Sequence, residues 1–126
     1  RYYQALSALE ETGHFGEARD AWQAALERWP GDAIALFGMA NAELALGNFA
    51  AAESLYRQLL VQNPASPAVR NNLAHALVRQ GLKPQAIEQL NLALDAVLDD
   101  EFMRRELQDS LMEIQKAPEI QPPVHN

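Results

Sequence analysis

One interval governs this sequence. Gly13, Gly47 and Gly81 stand 34 residues apart, and so do Ala18, Ala52 and Ala86. Trp22, Tyr56 and Leu90 keep the same interval, as do Leu26, Leu60 and Leu94, and Pro30 with Pro64. Coincident columns at one period mean stacked copies of a single supersecondary unit. Each column has a physical task. The Gly ends a first helix, where the chain needs a left-handed residue. The Ala lets two helices approach, the aromatic or Leu four residues later fills the gap, and the Pro closes the second helix.

Composition agrees with helices alone. The chain of 126 residues holds 22 Ala and 18 Leu against only 10 Val, Ile and Thr together. Ala and Leu favour helices and β-branched residues favour strands, so a β-rich fold is excluded. Hydrophobic content of 48% and charged content of 21% exclude wholesale disorder. No apolar run reaches the ~18–20 residues of a membrane span. A net charge of −7 and a pI near 4.8 argue against nucleic acid as partner. By segment the charge is −3 over 1–32, −1 over 33–66, +1 over 67–98 and −4 over 99–126, so the middle is near neutral. Cys is absent, which removes disulfides and thiolate sites and leaves cytoplasm and periplasm equally compatible. Because the sequence opens at Arg1 without a Met or signal pattern, it reads as a piece of something longer.

The columns resemble the tetratricopeptide repeat, a helix–turn–helix unit. In that register the repeats run over 1–32, 33–66 and 67–98. The resemblance implies an all-α fold, a right-handed α-solenoid of antiparallel helix pairs with about three repeats and a C-terminal capping helix. The paired helices are 1–12 with 16–29, 33–46 with 50–62, and 67–80 with 84–98. Asp32 and Ser66 cap helix starts, and Pro67 and Pro84 sit in first turns. Gly13 and Gly16 are expected to frame a turn. The expected core holds Leu36, Met39, Ala40, Leu55, Leu59, Leu73, Ala74, Leu77, Ile87 and Leu90. The first repeat departs from the pattern in carrying Leu6 where a small residue belongs, and the third lacks its closing Pro at Val97-Leu98.

Beyond residue 98 the period stops. Met103, Leu107, Leu111 and Ile114 form one apolar face, opposite Arg104, Glu106, Gln108, Asp109, Glu113 and Gln115. This reads as a capping helix over 100–116, apolar inward and polar outward. Residues 1–117 are thus expected to form a single domain, followed by an extended Pro-containing tail over 118–126. No cap precedes Arg1, so a preceding domain or a second copy should cover the Tyr2/Tyr3 end, the expected self-association surface.

Chemistry-bearing constellations are missing from the sequence. His14, His75 and His125 fall in a turn, a helix and the tail, without metal-ligand spacing. No Gly-rich phosphate loop and no nucleophile elbow occurs, and neighbouring acids such as Glu10-Glu11 diverge on a helix. No catalytic residue, metal or cofactor is therefore expected. The family resemblance instead implies a concave groove with ligand-facing positions on each first helix. These are Tyr3, Gln4, Ser7 and Glu10; then Ile34, Phe37, Asn41 and Leu44; then Asn71, Asn72, His75, Val78 and Arg79. Asn41 and Asn72 resemble the asparagines of the carboxylate clamp in chaperone-binding family members. However, Phe37 stands where a lysine is wanted, and Arg105, one period after Asn71, is the charge in a comparable place. The expected function is a non-catalytic protein–protein interaction scaffold holding an extended peptide. A second resemblance points to another class. Tyr2-Tyr3-Gln4-Ala5-Leu6, running into Gly13 and Ala18, is similar to repeat tails following the peptidase domain of some bacterial C39-like cysteine peptidases. That implies an accessory module with its catalytic residues upstream of Arg1.

Overall fold

Caps and prolines set most helix starts. The computed structural model describes residues 13–118. The expected helix 1–12, the Tyr2/Tyr3 surface and the tail from 119 lie outside the described residues. Six helices occur among those described: α1 Phe15–Arg28, α2 Ala33–Ala45, α3 Phe49–Gln62, α4 Pro67–Val78, α5 Lys83–Asp95 and α6 Glu101–Lys116. Asp32 accepts from the Ala35 N–H at 3.0 Å, Ser66 from Val69 at 3.4 Å, and Asp100 from Met103 at 3.0 Å. Each cap satisfies a donor that the first helical turn leaves unpaired. Gly47 and Gly81 adopt φ of 84° and 81°, the left-handed conformation that lets α2 and α4 stop and the chain reverse. No helix among the described residues is long and apolar enough to cross a membrane.

The chain divides into two compact units, Arg1–Gln62 and Asn63–Asn126. In the first, α2 packs against both α1 and α3. Ala18, Trp22, Ala25 and Ala35 form its core, with Leu26, Trp29 and Met39 against them. Mid-helix Gly38 is buried against the Trp22 indole, and a Cβ there would overlap the ring. Ala52, Tyr56 and Leu59 line the buried seam of α3. The Gln62 side-chain amide donates to the Gly31 carbonyl at 2.9 Å, tying the end of α3 to the chain just before α2.

In the second unit α5 packs against α4 and α6, and α6 also touches α4. Leu73, Leu77, Leu90 and Leu107 are fully buried there. Lys83 donates from Nζ to the carbonyls of Gln115 (3.0 Å) and Ala117 (2.8 Å), placing a cation on the unpaired carbonyl end of α6. Arg70 bonds Pro64 O at 2.8 Å and Gln89 Oε1 at 2.6 Å, joining α4 to α5 and to the segment before it.

Several expectations need correction. Leu55 and Ile87 are only half-buried, while Met39, also half-buried, packs against the core of the first unit. On α3 and α5 the seams run through Ala52–Tyr56–Leu59 and Ala86–Leu90–Ala93, so Leu55 and Ile87 lie on their flanks. Gly16 sits inside α1 and frames no turn. Helix α5 ends at Asp95, short of 98: Val97 turns inward while Leu98 is 72% exposed. On α6, Phe102 and Met112 are 75% and 53% exposed, two periods after Ile34 and Leu44.

Candidate functional site

The ligand-facing positions read from sequence are best followed unit by unit. On α2 of the first unit, Ile34, Phe37, Asn41 and Leu44 follow one another at helical spacing and share a side. Ile34 is exposed, while Phe37, Asn41 and Leu44 are half-buried. Their rear support is Tyr56 of α3. The Phe37 and Tyr56 rings meet edge to face, with centroids 6.3 Å apart and planes at 64°. The Tyr56 hydroxyl donates to Asn41 Oδ1 at 2.5 Å. Tyr56 is fully buried, so its hydroxyl needs such a partner, and the bond fixes the Asn41 amide in return. Sequence reasoning placed Tyr56 in a packing column and missed this second role. The signal was its hydroxyl, which the Trp and Leu of the same column lack.

Nearby charge in this unit is structural. Glu43 is almost fully buried, with Arg19 Nη1 at 3.7 Å and Asn48 Nδ2 donating at 3.4 Å. These partners come from α1 and from the turn after α2, so the carboxylate joins three parts of the unit.

On α4 of the second unit, Asn71, Asn72, His75 and Val78 are half-buried, and Arg79 is exposed as the residue that caps the helix end. The Asn71 Oδ1 is enclosed and has no hydrogen-bond partner among the described residues. His75 Nε2 lies 3.5 Å from Ser110 Oγ of α6, the outer limit of a hydrogen bond. Burial lowers the His75 pKa below its ordinary 6.5, and Glu113 opposes part of that shift. At neutral pH the ring is therefore uncharged. Arg105 lies exposed on α6. The structure thus joins Phe37 and Asn41 through Tyr56, and links His75 to α6 through Ser110. Tyr3 lies outside the described residues. Among the described residues no group of three or more His, Asp or Glu is placed to hold a metal ion.

The comparisons agree with this arrangement of helices. The Tetratricopeptide repeat family model matches residues 3–67 and again 37–100. No curated protein sequence matches the chain. Among solved structures, the type III secretion translocator chaperone SycD of Yersinia enterocolitica superposes with a TM-score of 0.82 at 19% identity, over 90% of this chain and 80% of that one. SycD in complex with a peptide of the translocator YopD gives 0.80 at 19% identity, over 90% and 88%. The second TPR domain of human RPAP3, in complex with an HSP70 peptide, gives 0.78 at 14% identity, over 90% and 92%. With the family model spanning most of its length, the chain belongs to the tetratricopeptide repeat family.

Proposed function

We propose that this chain is a non-catalytic protein-interaction scaffold whose first helices hold an extended segment of a partner protein. The observation that carries the reading is the α2 side, where apolar Ile34, Phe37 and Leu44 flank an asparagine fixed by Tyr56. An amide can both donate to and accept from a peptide backbone, while the apolar side chains supply contact area. SycD and the RPAP3 domain were both solved with peptides, which supports a peptide as the ligand class. Phe37 occupies the place where recognition of a terminal carboxylate wants a cation, which favours an internal segment with apolar side chains. In the second unit the corresponding contributors are Asn72, His75, Val78 and Arg79, with Asn71 and Arg105 beside them in the repeat register.

The test is a titration of labelled partner peptides against the intact chain and against Phe37→Ala, Asn41→Ala and Asn72→Ala. Loss of at least tenfold in affinity is expected from Phe37→Ala and Asn41→Ala, about 1.4 kcal/mol for each factor of ten. Unchanged affinity for a genuine partner removes the assignment. The accessory-module reading is tied to Tyr2-Tyr3-Gln4-Ala5-Leu6, outside the described residues. A Cys- and His-containing domain encoded upstream supports it, and further 34-residue repeats support the scaffold alone.

A further inference from the structure

A column of small buried residues ends in a hydroxyl. Ala42 on α2 and Ala76 on α4 are fully buried, and one period further on stands Ser110 of α6, 8% exposed. A close helix contact asks only for a small side chain, and Ala meets that need with no polar atom to satisfy. The Ser110 hydroxyl is therefore an addition that packing does not require. Its Oγ lies 3.5 Å from His75 Nε2, and it has no other hydrogen-bond partner among the described residues.

His75 holds the ligand-facing position one period after Asn41. In the first unit the Asn41 amide is fixed by the Tyr56 hydroxyl of α3. The second unit has Leu90 in the Tyr56 column, which offers no hydroxyl, and Ser110 of α6 brings one instead. Each unit thus sets one hydroxyl against the same ligand-facing column, from a different helix. Burial gives the bond its direction. An enclosed hydroxyl hydrogen needs an acceptor, and Nε2 is the acceptor within reach. A neutral imidazole that accepts at Nε2 carries its proton on Nδ1. Among the described residues Nδ1 is neither bonded nor enclosed, so its N–H is open to a ligand.

We propose that Ser110 is a positioning residue of the partner site: its hydroxyl donates to His75 Nε2, keeps the ring proton on Nδ1 and so presents an N–H to a carbonyl oxygen of the partner segment. The proposal rests on the scaffold reading and narrows it, because the group read at His75 is an acceptor.

Long-range proton–nitrogen NMR correlation of the intact, partner-free chain at about pH 7.5, above the ordinary histidine range, reads the tautomer directly. An unconstrained histidine favours the proton on Nε2, and the chain is expected to hold it on Nδ1. Ser110→Ala restores the ordinary residue of its column, so the fold is kept, and the proton is expected to return to Nε2. Glu113→Gln removes the acid whose charge reaches the ring and is expected to leave the proton on Nδ1. The binding arm uses the tightest peptide selected on the intact chain from a randomised library and weakened by Phe37→Ala. Ser110→Ala is expected to weaken that peptide about threefold to tenfold, the range of one hydrogen bond. In a His75→Ala background the same change is expected to have no effect, whereas a purely structural loss would persist. A wild-type proton on Nε2 overturns the proposal and leaves the scaffold reading intact, as does a peptide indifferent to Ser110→Ala. A tautomer that follows Glu113 and not Ser110 overturns it too. A library that yields no Phe37-dependent peptide overturns the scaffold reading and this proposal with it.

Discussion

Trp22 in the first unit and Leu90 in the second occupy the same repeat column, and both are buried. The positions 16 residues further on differ. Trp22 lies on Gly38, where no Cβ fits. The repeat counterpart of Gly38 two periods on is Glu106, an exposed residue of α6. The Trp22 indole takes the space that a side chain at position 38 would need, whereas Leu90 is followed by no such glycine at that spacing. The first unit thus gains ring area at the cost of a helix-weakening glycine. The second relies on close-packed leucines and on polar ties such as Arg70 to Gln89 and Lys83 to the end of α6.

The largest expected effects come from emptying the column. Trp22→Ala should cost about 3–5 kcal/mol and Leu90→Ala about 2–5 kcal/mol in denaturant unfolding. Comparable losses at both sites would show that aromatic and aliphatic fillings contribute alike. Next in size is Gly38→Ala, expected to destabilise by about 1–3 kcal/mol through overpacking. In a Trp22→Leu background the same change should turn neutral or stabilising, because Ala exceeds Gly in helix propensity by about 1 kcal/mol. A Gly38→Ala penalty that persists without the indole would break the comparison. Tyr56→Phe should cost about 0.5–1.5 kcal/mol, by leaving Asn41 without its hydroxyl partner.

The smallest effect is set by pH and belongs to the second unit. Burial lowers the folded pKa of His75 below 6.5, and Glu113 offsets part of the shift. The unfolded chain therefore binds more protons than the folded one between those two values. Stability is complete above 6.5 and falls as pH drops through that value toward the lowered one, levelling off below it. Replacing His75 by Gln should narrow the gap in melting temperature between about pH 7.5 and about pH 5, bracketing the ordinary histidine range. An unchanged gap would assign the acid sensitivity to other groups.

The repeat columns were legible because each is a one-residue demand recurring at a fixed interval. Ala18, Ala52 and Ala86 are fully buried, and Gly47 and Gly81 take the left-handed turn. What escaped depends on pairs of residues that no column contains. Gly38 looks like a flaw in a helix until Trp22 is found against it. Asn41 was read as a ligand-facing amide, and its bond to Tyr56 appears only when α2 and α3 are packed. Leu55 and Ile87 match the helical period but lie just off narrow seams. Of the candidate site, the helix faces were legible; the contacts that orient the side chains were not.

The central claim is that the first helix of each pair, and not the second, meets the partner. Hydrogen–deuterium exchange of the intact chain, with and without the tightest peptide from a partner-derived array, tests it most directly. The account predicts added protection over Ala33–Ala45 and Pro67–Val78, with Phe49–Gln62 and Lys83–Asp95 unchanged. Protection concentrated in Phe49–Gln62 and Lys83–Asp95 would contradict it.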